Sequence, residues 1–215
     1  MVIEAVLWDF GGVILTSPFA AFARYEGELG LPAGLQRRVN ATNPHTNAWA
    51  RLERAELDVV GFARAFEAEV RALDPTGAAA AIDGEHVVAL LAGHVRPEMV
   101  AALDAVRARG LPQACLTNNH SAGVGDPARA AQVSAVMARF DHVVESWKVG
   151  VRKPEPRFYE IACELVGVGP ANCVFLVDLG INLKPARAMG MHTINVDDPA
   201  AAIAELSAVL GFPLA

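Results

Sequence analysis

Cysteine is scarce in this chain: 215 residues contain three, Cys115, Cys163 and Cys173, an odd set without C-x-x-C spacing. That pattern excludes a disulfide framework and a cysteine-based zinc site. All three lie in apolar stretches, where a buried reduced thiol is expected. Positive charge is also in deficit, with 18 Lys and Arg against 24 Asp and Glu and a net charge of −6. No basic surface recommends a nucleic-acid backbone as partner. Long apolar runs are missing too. Asp9 and Gly11-Gly12 break the first apolar stretch well short of the ~20 residues a membrane span needs. No basic segment precedes a long apolar run at the N-terminus, so the expectation is no secretory signal, no membrane partner and a reducing cytoplasm. The six histidines (45, 86, 94, 120, 142 and 192) show no metal-ligand spacing.

What is present is a core-forming composition. The hydrophobic fraction is 53% and the charged fraction 20%, which excludes a mostly disordered chain. Short apolar runs at Val2 to Trp8, Gln113 to Leu116, His142 to Glu145, Val174 to Val177 and Thr193 to Val196 predict buried strands. Helical patterns separate them. One opens at Pro97 with Met99, Leu103 and Val106 on one face and stops at Gly110. Another runs from Pro156 to Gly167, and a third holds Leu183, Ala186 and Met189. Strands alternating with helices predict an α/β fold around a parallel sheet, with ligands gathered at the carboxyl ends of the strands. From about Ser17 to Val95 no strong strand is visible. Segments at 19–29, 34–41, 47–55, 60–73 and 84–91 read as helices, and 76–81 as a loop or frayed helix. The expected organisation is a core of residues 1–16 and 96–215 with a helical cap of residues 17–95 inserted after the first strand.

Four places carry chemistry. Asp9 follows an apolar run and precedes two glycines. It reads either as a strand-end turn residue or as a carboxylate nucleophile, with Gly11 and Gly12 letting backbone approach a bound phosphate. Thr117 and Asn118 follow the second core strand, where a hydroxyl and an amide can donate to phosphate oxygens or merely form a turn. Lys153 precedes Pro154 and Pro156, prolines that stiffen the entry to a helix, so its ammonium can neutralise a nucleophile and a phosphate together. Asp178 ends the strand at 174–177. With Asp9 it would form a hard, all-oxygen site suited to magnesium. In the helical segment, Asn43, Asn47, Trp49 and Arg51 read either as substrate contacts or as a helix start with packing.

In order and spacing, Asp9-Phe10-Gly11-Gly12-Val13, Thr117-Asn118, Arg152-Lys153-Pro154 and Asp178 with Asn182 resemble the four motifs of the haloacid dehalogenase superfamily. Within it, the likeness is to the N-terminal phosphatase domain of soluble epoxide hydrolase and related bacterial sugar-phosphate phosphatases. The resemblance implies a Rossmann-like three-layer core with a helical cap. It implies that Asp9 is phosphorylated and then released by water, that Thr117 and Asn118 bind substrate, and that Lys153 steadies charge. It also implies that Asp9, the carbonyl of Gly11 and Asp178 hold Mg2+. A small phosphorylated metabolite is the implied substrate and a homodimer a family-level expectation.

Two positions depart from the motifs. Gly11 stands where a phosphatase carries a second aspartate as general acid and base, and Val177 stands where the first of a pair of acids is usual. A general acid or base contributes roughly 10²–10⁴-fold, and a neighbouring carboxylate at position 177 about 10–100-fold in metal affinity. The expectation is a weak or narrow phosphatase. The alternatives are a metabolite-binding or regulatory protein on the same fold, or a metal-independent 2-haloacid dehalogenase.

Overall fold

The computed structural model describes residues 2–121 and 126–214. Five strands, β1 (Ala5–Asp9), β2 (Gln113–Thr117), β3 (His142–Glu145), β4 (Cys173–Val177) and β5 (His192–Asn195), form one sheet in the order β3-β2-β1-β4-β5. Every pairing is parallel. β1, β2 and β4 are buried at all five positions. Their unbroken apolar runs, with no polar alternation, follow from burial on both faces.

Residues 17–95 make five α-helices: α1 (Phe19–Glu28), α2 (Leu35–Ala41), α3 (Ala48–Glu53), α4 (Val59–Leu73) and α5 (Gly84–Ala89). Around the sheet follow α6 (Pro97–Ala108), α7 (Pro127–Met137), α8 (Ser146–Val149), α9 (Pro156–Val166), α10 (Gly180–Ala188) and α11 (Pro199–Leu210). One sheet face packs Val6, Trp8 and Cys115 against Met99, Leu103 and Val106 of α6 and Leu206 of α11. The other packs Leu7, Leu116 and Phe175 against Phe158, Tyr159 and Ala162 of α9 and Leu183 of α10. The sequence alternation along β1 decides which side chain joins which layer.

The five-helix insertion has its own core of Phe22, Leu35, Trp49, Phe62 and Phe66, among others. Phe62 and Phe66 are fully buried, each contributing roughly 1.5–3 kcal/mol of transfer free energy. The chain leaves the sheet and returns to it side by side. Leu15 and Val95 form an antiparallel bridge, the Thr16 N–H donates to the His94 carbonyl at 2.8 Å, and the Arg96 N–H donates to the Ile14 carbonyl at 2.9 Å.

Three local expectations need correction. The first strand begins at Ala5, and Val2 is 71% exposed. α7 and α11 add two helices the sequence reading does not set out; they fully bury only Val136, and Ala202 and Leu206, and pack Val133, Met137, Ile203, Val209 and Leu210 partly buried on the core. Their legible signal is at the start. Asp126 and Asp198 accept from backbone N–H groups as N-caps, each just before a proline.

Candidate active site

Register brings the chemistry to one rim. Asp9 closes β1 opposite Leu116 of β2, and Trp8 lies opposite Leu176 of β4. Thr117 and Asp178 therefore stand just beyond the level of Asp9, on the two strands that flank it. Neighbouring strands are about 4.8 Å apart, so these side chains share one crevice. β1 and β4 also bound the point where the strand order reverses, the usual ligand position in such sheets.

Asp9 is buried, and its neighbours hold it by one oxygen. Oδ1 accepts from the Phe10 N–H at 2.7 Å and meets Lys153 Nζ at 2.5 Å. Among the described residues no hydrogen bond reaches Oδ2. Lys153 is only 1% exposed, and its ammonium also donates to the Leu116 carbonyl at 2.6 Å. Burial raises the Asp9 carboxyl above the ordinary range, while the Lys153 charge and hydrogen bond pull it down. A buried ammonium this close is what keeps the carboxylate ionised in a dry site.

Past Asp9 the chain makes a wide turn in which the Leu15 N–H donates to the Phe10 carbonyl at 2.8 Å. Gly12 sits in it at φ +79°. A Cβ at Gly12 would lie 1.9 Å from Asp178 Oδ2 and 2.2 Å from its Cγ. Glycine is required there for backbone conformation and for room. The close approach expected of a phosphate is made in this structure by the Asp178 carboxylate. Gly11 is exposed, at φ −66° and ψ 132°, with nothing within 4 Å of where a Cβ would lie. Arg96 donates to the Gly12 carbonyl at 3.1 Å. The Asp178 carboxyl is pushed up to about 7, first by burial and then by the charge of Asp9, with Lys153 and Arg96 opposing.

Two carboxyls on one rim, the charge of Asp9 raising the proton affinity of Asp178, suit a shared divalent cation. No group of three His, Cys, Asp or Glu side chains gathers as a metal site among the described residues. Any cation here would complete its shell with backbone oxygen and water, as magnesium commonly does.

The motif after β2 divides its work. Thr117 is buried, and its hydroxyl makes no hydrogen bond among the described residues. The Asn118 amide, expected to bind substrate, is taken up otherwise. Its Nδ2 donates to Glu53 Oε2 at 2.9 Å and to the Lys153 carbonyl at 3.0 Å, while its Oδ1 accepts from the Lys153 N–H at 2.9 Å. Asn118 thus clasps the Lys153 backbone. Asn182 lies on α10, and its carbonyl accepts from the Tyr159 hydroxyl at 2.8 Å.

Sequence reading does not find Glu53, Arg54, Arg96 or Glu155. They reach the rim across 84 to 101 residues of chain, which no local pattern records. Of the polar residues weighed in the insertion, Asn47 caps α3 by accepting from the Ala50 N–H at 2.9 Å. Trp49 packs on Phe62 and Phe66, with ring centroids 4.4 and 5.9 Å away. A shallow cleft lined by Arg38, Ala41, Thr42 and Leu73 contains none of the rim residues. No helix among the described residues is long and apolar enough to cross a membrane.

The chain is 32% identical over 211 residues to acyl-CoA dehydrogenase family member 10 of Mus musculus, covering 98% of this chain and 19% of that protein. It is 30% identical over 223 residues to bifunctional epoxide hydrolase 2 of Sus scrofa, covering 100% of this chain and 40% of that protein. It thus spans less than half the length of either relative. In fold it is similar to a HAD family enzyme from Bacteroides thetaiotaomicron solved in complex with magnesium and inorganic phosphate. The TM-score is 0.54 at 16% identity, over 90% of this chain and 93% of that one. The family description "haloacid dehalogenase-like hydrolase" matches residues 3–190. With nearly its whole length under that match, the chain belongs to the haloacid dehalogenase-like hydrolase family.

Proposed function

We propose that the protein is a magnesium-dependent phosphatase acting on a small phosphorylated metabolite through an aspartyl-phosphate on Asp9. Residues 17–95 serve as its cap over the core rim. The observation that carries this reading is the one-sided hold on Asp9: Lys153 and the Phe10 N–H occupy Oδ1 and leave Oδ2 for attack.

In this reading Asp9 Oδ2 bonds to phosphorus, and the bond from phosphorus to the leaving oxygen breaks, the electron pair departing with that oxygen. Water then attacks the same phosphorus, which frees Asp9 as a carboxylate and yields inorganic phosphate. Lys153 keeps Asp9 ionised and steadies charge on the phosphoryl group. The Thr117 hydroxyl donates to a phosphoryl oxygen. Asp9, Asp178 and the Gly11 carbonyl would hold magnesium, which supplies charge neutralisation between the carboxylate and the incoming phosphate. Asn118 acts by fixing the Lys153 backbone.

Gly11 provides no proton for the leaving group. That absence costs roughly 10²–10⁴-fold on alkyl esters and little on acyl or aryl phosphates, whose leaving groups depart as stable anions. The favoured substrates are therefore activated phosphates. Acetyl phosphate and p-nitrophenyl phosphate, assayed with and without magnesium beside Asp9→Asn, test the proposal. Hydrolysis should need both the metal and Asp9; equal turnover by Asp9→Asn contradicts it.

The open space at Gly11 favours a second reading, a metal-independent 2-haloacid dehalogenase that needs no second acid. Halide release surviving EDTA would support it. A metabolite-binding protein without turnover, motivated by Gly11 and Val177, would show calorimetric binding and no phosphoenzyme.

A further inference from the structure

Two consecutive residues at the end of α3 grip the segment that carries Lys153. Glu53 Oε2 bonds to Arg152 Nε and to Asn118 Nδ2. Arg54, the next residue, pairs with Glu155 at 3.4 Å. The charges on the two segments are complementary: minus then plus on the insertion, plus at 152 and minus at 155 on the core, with Lys153 and Pro154 between. Arg152 adds a hydrogen bond to the Pro44 carbonyl at 2.9 Å.

The inner pair is sheltered. Arg152 and Glu53 side chains are 13% and 16% exposed, against 52% and 48% for the Arg157–Glu160 pair on α9. Exposed pairs are screened and contribute little; partly buried ones resist screening and hold geometry. The path to chemistry is short. Glu53 fixes the Asn118 amide, Asn118 brackets the Lys153 backbone on both its N–H and carbonyl, and Lys153 Nζ meets Asp9.

We propose that Glu53 is a positioning residue that couples the seating of the helical insertion to the placement of Lys153 against Asp9. When the insertion lifts to admit substrate, Glu53 leaves Arg152 and Asn118, and the Lys153 segment loosens. When it reseats over substrate, the clasp restores the ammonium to its working position. The kinetic consequence rests on the phosphatase reading; the mechanical coupling does not.

The test compares wild type, Glu53→Gln, Arg152→Gln and the double variant, all as full chains. The kinetic arm uses p-nitrophenyl phosphate with magnesium. Glu53→Gln should lower kcat by up to ~100-fold, as small misplacements of catalytic groups do, with KM nearly unmoved. The double variant should lose clearly less than the sum of the single losses, because both break the Glu53–Arg152 pair. The second arm is amide hydrogen exchange, which should quicken in the peptide 150–156 in each variant and stay unchanged in β4. Unaltered kcat in Glu53→Gln, additive losses in the double variant, or quickened exchange confined to residues 44–54 would each overturn the coupling. A wild type without magnesium-dependent turnover would refute the phosphatase reading, and the exchange arm would still decide the clasp.

Discussion

The carboxylate of Asp178 occupies the space that a side chain at Gly12 would need. Its Oδ2 lies 1.9 Å from where a Cβ would be built. β1 and β4 end side by side, and the turn after β1 is bare so that the acid after β4 can lean over it. Gly12→Ala should therefore displace Asp178 and strain a backbone at φ +79°. We expect a loss of about 1–3 kcal/mol in denaturant unfolding and loss of the magnesium-dependent rise in Tm. A variant that keeps both wild-type stability and the metal response would show that the contact is incidental.

Gly11 behaves differently, because a Cβ there meets nothing within 4 Å and the backbone is ordinary. Gly11→Asp should fold normally. If the position lacks only a proton donor, turnover of an alkyl phosphate should rise by roughly 10²–10⁴-fold while acetyl phosphate changes little. Equal gains on both substrates would mean that the new carboxylate acts through the metal.

Lys153→Met removes the only ammonium that reaches Asp9 among the described residues and leaves a buried acid unpaired. Breaking a buried pair costs about 3–5 kcal/mol. The sign of the pH effect follows from linkage. Asp9 is already raised by burial, and without Lys153 it rises further. The folded variant then binds a proton that the unfolded chain, near 3.8, has released. Its stability should fall as pH rises from about 4 towards neutrality, and Asp9→Asn in the same background should make that fall smaller, leaving the part that belongs to Asp178. A pH-independent melting temperature in Lys153→Met would contradict the pairing.

Magnesium and protons should compete at Asp178, pushed up to about 7 by burial and the charge of Asp9. A metal ligand must be deprotonated to bind. The rise in Tm caused by magnesium should therefore be small at pH 5 and grow through pH 7 to 8. Asp178→Asn should flatten that dependence. An equal metal effect at pH 5 and pH 8 in the wild type would remove Asp178 from the proposed shell.

The rim is legible in sequence because β1, β2 and β4 are buried on both faces and end in abrupt polar residues. A parallel sheet then brings Asp9, Thr117 and Asp178 together whatever their separation. The helices of the insertion are legible where they bury a stripe, as α4 does with Phe62, Phe66 and Val70. α7 and α11 are less so, because each meets the core mainly through partly buried side chains set among alanines, Val133 and Met137 in one and Ile203, Val209 and Leu210 in the other. The role of Asn118 is hidden for another reason. An amide after a strand can face ligand or chain, and only the position of Glu53, 65 residues away, decides which. Gly12 was legible as a close-approach position, but not what approaches it.

The account turns on Asp9 Oδ2 as the attacking atom. Wild-type protein mixed with acetyl phosphate and magnesium, quenched in acid within one turnover and digested, reads this directly by mass spectrometry. The prediction is one phosphoryl group on the peptide carrying Asp9, absent in Asp9→Asn and lost on incubation in water. Phosphate released at the same rate with no phosphorylated peptide, or a phosphoryl group on another residue, would contradict it.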